Sequence, residues 1–251
     1  MEISIAAEKL FSFFGFPMTN AFIWTIAVSG SLASIAVLSR SRFREIPTGF
    51  QNVVEAVFES LLDLVDSVMK DRTQTARFFP LIATIFLFVL FSNWLGLLPG
   101  LGTVGLSASH EGQATIVPFL RSGSADLNTT LALSLIVVFT IQAAGIMALG
   151  LRGYAKKFFI SPMHKPYVIG TFVGLLELLG EATKILSFSF RLFGNVFAGE
   201  VLLTVMLHLV PYFLPLPFLL FEVFVGFIQA FVFAMLTLVF LKMAMLPAEE
   251  H

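Results

Sequence analysis

Seven ionisable side chains lie inside the long apolar stretches of the last third of this 251-residue chain: Glu177, Glu181, Lys184, Arg191, Glu200, Glu222 and Lys242. Each costs about 2.5–3.5 kcal/mol at mid-bilayer on insertion scales unless water or a partner relieves it, and such residues ordinarily mark an ion path. Arg191 has the narrowest range of roles. An arginine cannot be deprotonated in a protein, so it cannot carry protons. It can be a fixed positive charge that blocks them, or a counter-ion for a carboxylate. Glu177, Lys184 and Arg191 are spaced by seven and share a helix face, with Asn195 one turn further along it. The residues one turn from Arg191 are Ser187, Phe188, Gly194 and Asn195, none of them acidic. An ionic partner must therefore come from another helix or another protein. Lys184 differs: it follows Glu181 by three residues and Glu177 by seven, and a local ion pair and a transport role are equally open to it.

The elements that hold these residues must be membrane helices. Hydrophobic residues make up 57% of the chain and charged residues only 12%, against roughly 25% charged in a soluble domain. Too few charges remain to coat a soluble globule, which excludes a soluble enzyme and a disordered protein. With no cysteine, a disulfide scaffold and a zinc ribbon are excluded too. A net charge of -1 gives nucleic acid nothing to bind. No charged residue occurs between Lys9 and Arg40, Arg77 and Glu111, or Asp126 and Arg152. Each gap holds the ~20 apolar residues that cross a bilayer, and the spans read as 20–39, 78–98 and 127–151. None alternates with period two, so a β-barrel is not expected.

Beyond a proline-flanked turn at Pro162 and Pro166, residues 167–210 run for 44 residues without proline. As a helix this is about 66 Å long, twice the ~30 Å hydrocarbon core, so it must tilt strongly, lie partly in the membrane plane, or break. The run from Pro211 to Pro217 reads as a turn, and a second long helix follows over 218–246. Lysine and arginine set the orientation. Segments 40–77 and 151–166 carry ten of them, whereas the other side has only Lys9 and Arg121. The N-terminus is expected outside and the C-terminus inside, with Lys242 near the inner end snorkelling to the interface. Residues 50–70 set Val53, Val57, Phe58, Leu61, Leu62, Val65 and Met69 at helical spacing, with Glu55, Glu59, Asp63 and Asp66 opposite. This is an amphipathic helix on the inner surface, either solvated on its acidic face or docked to a partner subunit. The expected fold is an all-α membrane protein: about five membrane-embedded helices, this surface helix, and a long tilted C-terminal hairpin. We read one polytopic domain, 1–251, in three parts: 1–76, 77–151 and 152–251.

Four blocks carry a resemblance. Ser189-Phe190-Arg191-Leu192-Phe193-Gly194-Asn195-Val196-Phe197-Ala198-Gly199-Glu200 resembles the S-x-R-L-F-G-N-x-x-A-G-E signature of subunit a of F-type ATP synthases. Ser92-Asn93-Trp94-Leu95-Gly96-Leu97-Leu98-Pro99 is similar to that family's N-x-x-G-L-L-P, Ser124-Ala125-Asp126-Leu127-Asn128 to its S-A-D-x-N, and Gln229-Ala230-Phe231-Val232-Phe233 to its Q-A-F-x-F. Order and topology agree from about residue 40 to the end. The resemblance implies that Arg191 is the essential arginine facing the rotor carboxylate. It implies that Glu200 and Glu222 belong to an outer aqueous half-channel, Glu177 to an inner one, and Asn195 and Gln229 to the polar surroundings of the arginine. Position 222 is histidine in some members, and this chain has glutamate there. The implied partners are a ring of c subunits, the peripheral-stalk subunit b, the rest of the synthase and the lipid bilayer. No metal or cofactor is implied.

Chain direction gives the same order independently. The long helix starts inside, so Glu177 lies toward the inside, Glu200 toward the outside, and Arg191 between them. A hairpin centred on Pro211 levels Glu222 with Glu200, whereas one centred on Pro215 levels it with His208. In either register Glu222 gains a titratable neighbour, and a proton-sharing relay open to outside water is expected. No G-x-x-x-x-G-K-[ST] loop is present, so nucleotide chemistry is expected to belong to partners. Two rival readings are a secondary transporter, disfavoured by the lack of an internal inverted repeat, and a passive scaffold subunit. Residues 1–9 have acids and no basic stretch, unlike a signal or transit peptide. A bacterial inner membrane is the expected location.

Overall fold

The computed structural model describes residues 7–13, 15–40, 43, 49–98, 105–110, 113–118, 121–158, 167–210, 213 and 215–246. The prolines that bound the predicted turns, Pro162, Pro166 and Pro211, lie outside the described residues, as do Pro99, Lys165 and Pro247. The elements in order are strands β1 (Lys9–Phe13) and β2 (Phe16–Thr19), helices α1 (Asn20–Arg40), α2 (Phe50–Met69) and α3 (Arg72–Gly96), strands β3 (Gly105–His110) and β4 (Gln113–Pro118), a 3₁₀ turn at Gly123–Ala125, and helices α4 (Leu127–Phe158), α5 (Tyr167–Leu209) and α6 (Pro215–Met245). Among the described residues, five helices are long and apolar enough to cross a membrane: Asn20–Arg40, Arg72–Gly96, Leu127–Ala155, Gly174–Leu209 and Pro215–Met245. The protein is an all-α multi-pass membrane protein, with two antiparallel hairpins, β1–β2 and β3–β4, added to its helices.

Three boundaries differ from the sequence expectation, each for a local reason. Helix α3 begins at Arg72, ahead of the charge-free gap, because Asp71 caps it by accepting from the Thr73 amide at 2.9 Å. Its first turns are polar, and a helix need not end where the bilayer does. Helix α6 begins at Pro215, so Pro215 and Pro217 form its first turn, not part of the preceding turn. A proline there lacks only an N–H that has no intrahelical acceptor. Helix α4 breaks at Gly150 (φ 71°, ψ 161°), a conformation that favours glycine. In an unbroken helix Gln142 and Tyr154 would stand about 18 Å apart, yet after the break the Tyr154 hydroxyl donates to the Gln142 side chain.

Helix α6 packs against α3, α4 and α5, and α4 lies along α5. Between them sits a continuous core that includes Phe86, Val89, Val137, Ile141, Phe188, Leu192, Phe233 and Leu238. Phe188 of α5 meets Phe233 and Phe240 of α6 at ring-centroid distances of 4.8 and 5.8 Å, each pair worth about 0.5–1.5 kcal/mol beyond burial. Lipid offers helices no hydrophobic reason to associate, so such close packing and inter-helix hydrogen bonds hold the bundle. Helix α2 buries Leu61, Val65 and Met69 while its N-terminal half leaves Val53, Val57 and Phe58 exposed. The Lys242 ammonium donates to the Met69 carbonyl at 2.8 Å, capping α2 from α6.

Candidate functional site

Helix α5 carries Arg191 between two differently built ends. The Arg191 guanidinium donates to Ser187 Oγ, one turn back, at 3.2 Å. Among the described residues it has no carboxylate partner. It borders a cavity of about 200 Å³ with Thr183, Lys184, Ser187, Phe188 and two α6 residues, Leu236 and Phe240. The other cation at this cavity is already neutralised. Lys184 Nζ sits 2.5 Å from Glu181 Oε1 and 4.8 Å from the centre of the Phe240 ring. The second Glu181 oxygen accepts from Gln142 Nε2 at 2.6 Å, and Gln142 in turn accepts from Tyr154. Glu181 thus accepts from both Gln142 and Lys184, which fixes Lys184 and leaves Arg191 as the uncompensated charge at the cavity. Glu177 is exposed and has no ion pair among the described residues.

One turn beyond Arg191, Asn195 Nδ2 donates to Gln229 Oε1 of α6 at 2.6 Å. Among the described residues, Gln229 Nε2 and Asn93 Oδ1 are buried without hydrogen-bond partners. Further along, Glu222 is only 7% exposed and its side chain lies directly on Gly199, where a Cβ would overlap its carboxyl. The absence of a side chain at 199 is what admits the acid. This contact sets the hairpin register near Pro211. Glu222 is level with Gly199 and Glu200, and His208 instead sits exposed with its Nδ1 3.1 Å from the Thr204 carbonyl. Glu200 and Glu222 thus share a depth but take different neighbours. The Glu200 carboxylate meets Arg121, whose Nε and Nη2 approach Oε2 at 3.3 and 3.2 Å.

The other motif blocks brace this hairpin. Asn93 Nδ2 donates to the Gly226 carbonyl at 3.2 Å and Trp94 Nε1 to the Val223 carbonyl at 2.9 Å, fixing α3 to α6 beside Glu222. Asp126 ends the 3₁₀ turn and opens α4, accepting from the Asn128 amide at 3.3 Å and Thr129 Oγ1 at 3.1 Å. Thr130 of α4 and Ser189 of α5, both buried, are hydrogen-bonded at 3.1 Å, two residues from Arg191. Sequence reasoning did not single out Gln142, Tyr154 or Arg121 for the site. Gln142 and Tyr154 look like ordinary span residues until Gly150 folds one onto the other, and Arg121 stands 79 residues from Glu200.

Comparisons with known proteins bear on the chain as a whole. The family model described as ATP synthase A chain matches residues 20–242. "ATP synthase subunit a 1" of Syntrophotalea carbinolica is 33% identical, covering 92% of this chain and 87% of that protein. "ATP synthase subunit a" of Gloeobacter violaceus is 36% identical over 91% of this chain and 85% of that protein. The sodium-ion-specific subunit a of Propionigenium modestum is 33% identical over 99% of this chain and 81% of its own length. With the model match running from α1 nearly to the end of α6, the chain belongs to the ATP synthase A chain family and has a role in the F-type ATP synthase.

Proposed function

We propose that the chain is the proton-conducting stator subunit of the synthase membrane sector, with two offset half-channels meeting at Arg191. In this reading protons enter from the outside by Glu200 and Glu222, with exposed His208 near the mouth. They load a carboxylate on a rotating ring of c subunits and leave after a turn past Glu177. Arg191 attracts the arriving carboxylate in its charged form and blocks a direct leak. The protonated carboxyl is neutral and travels through lipid. The observation that carries the reading is Arg191 itself: a permanent cation at a cavity, with its rival Lys184 neutralised and no carboxylate partner among the described residues. In this reading its counter-ion is the rotor carboxylate. The buried, unpaired Gln229 Nε2 and Asn93 Oδ1 support a hydrated outer path, since such groups cost about 1–3 kcal/mol unless water satisfies them.

The dimensions agree with this role. The apolar part of α5, Gly174–Leu209, has 36 residues and is about 54 Å long, so in a ~30 Å core it must lie oblique to the membrane normal. An oblique hairpin can follow a curved rotor. The potential supplies about 2.3 kcal/mol per charge per 100 mV, so several protons must pass per ATP, which suits a ring advancing in steps. We place the N-terminus outside, the C-terminus in the cytoplasm of a bacterial cell, subunit b as the stator partner, and nucleotide chemistry in other subunits. Reconstituting the chain in liposomes with and without a c ring tests the assignment. Potential-driven proton flux should need both, and solute uptake by the chain alone would overturn it.

A further inference from the structure

The two outer acids do not occupy equivalent sites, and one residue makes the difference. Arg121 is the only arginine or lysine that forms an ion pair with a hairpin acid from outside the hairpin among the described residues. Its side chain is 8% exposed, against 40% for that of Glu200. Both approaching nitrogens converge on a single oxygen, Oε2, and no described residue engages Oε1. The carboxylate is therefore gripped on one side and open on the other.

The arm that carries Arg121 is rigid. Ser122 Oγ donates to the Ser92 carbonyl at 3.3 Å, and Ser124 Oγ to Ser92 Oγ at 3.3 Å. Gly123 approaches α1 so closely that a Cβ would stand 2.6 Å from Thr25 Oγ1, and a Cβ on Gly96 would meet Ser122 Cβ at 2.8 Å. Ser92 thus anchors the arm that holds Glu200, while the next two residues, Asn93 and Trp94, anchor the α6 backbone beside Glu222. One short stretch at the outer end of α3 sets both acids. Glu222 has no cation beside it among the described residues.

Resting on the proton-path reading above, we propose that Arg121 is a positioning residue for the outer half-channel. It holds Glu200 as a fixed, outward-open carboxylate at the mouth and leaves the buried, unpaired Glu222 to take up and pass on the proton. The two acids then work in series with separate duties, not as a pair sharing one proton.

The test uses the complete synthase in everted membrane vesicles, reading ATP-driven proton pumping normalised to assembled complex. Arg121→Gln should slow pumping roughly tenfold, the size of a contact coupling of this kind, and Arg121→Lys should recover most of the rate because an ammonium still holds the carboxylate. The decisive readout is the double variant. With Glu200→Gln already present, Arg121→Gln should slow pumping less than about twofold further, since the Glu200 carboxylate that Arg121 positions is then gone. If Arg121→Gln fails to assemble, the same comparison is made with Arg121→Lys, whose smaller effect should likewise vanish on the Glu200→Gln background. An unchanged rate in Arg121→Gln, an unchanged rate in Glu200→Gln, or an equal Arg121 effect on both backgrounds would overturn the proposal. Arg191→Ala run in parallel separates the two readings: pumping that survives it defeats the proton path itself, whereas its loss beside a normal Arg121→Gln defeats only the role of Arg121.

Discussion

Gly199 offers a perturbation whose structural and functional costs separate. A methyl group there would overlap Cδ and both carboxyl oxygens of Glu222, roughly 1 Å or more inside ordinary van der Waals contact. Those atoms are the far end of a flexible side chain, so Glu222 can retreat while the helices stay in place. The stability cost is that of an off-rotamer side chain, about 0.5–1.5 kcal/mol, and not the larger cost of parting two backbones. If Glu222 lies on the proposed proton path, the functional cost is greater, because a reacting group displaced by about 1 Å loses rate up to a hundredfold. Gly199→Ala should therefore assemble normally, melt within a few degrees of the parent, and pump protons roughly ten- to a hundredfold more slowly in everted vesicles. Glu222→Asp, which withdraws the carboxyl by one methylene, should restore part of the rate when added to Gly199→Ala. Wild-type pumping in Gly199→Ala would refute the claim that the carboxyl must occupy this niche.

Three further outcomes follow from the same geometry. Glu200→Gln and Glu222→Gln should each slow proton pumping while the complex still assembles, as read by blue native electrophoresis; normal pumping in either would remove that acid from the path. Glu181→Gln frees Lys184 as a second uncompensated cation at the Arg191 cavity, so pumping should fall several-fold and recover on adding Lys184→Gln; a rate unaffected by either change would show the pairing to be irrelevant. Trp94→Phe removes one hydrogen bond to the Val223 carbonyl and should lower thermal stability by about 0.5–1.5 kcal/mol, with no shift in melting indicating that the contact does not brace α6.

Much of this was legible because charge is expensive in lipid. The charge-free gaps located α1, α3 and α4, and period 3.6 located α2, whose Leu61, Val65 and Met69 are buried as an apolar stripe should be. The isolation of Arg191 was readable from Ser187, Phe188, Gly194 and Asn195, since a helix brings only those residues within one turn. The β1–β2 and β3–β4 hairpins were not, because short hairpins rest on backbone bonds and need no apolar alternation. Helix ends were misplaced where Asp71 and Pro215 extend helices past the apolar segment. Hairpin register was ambiguous from proline positions alone and follows from the contact of Glu222 with Gly199. Arg121 counted in the sequence only as an outer-side charge, because nothing local marks a partner 79 residues away.

In the proposed mechanism Arg191 supplies the permanent charge against which a rotor carboxylate is unloaded. Arg191→Ala in the assembled synthase tests it most directly, with ATP-driven acidification and passive proton leak measured on the same everted vesicles. ATP-driven pumping should be undetectable, with passive proton permeability equal to or above that of the parent. Coupled pumping near the parental rate in the alanine variant would contradict it.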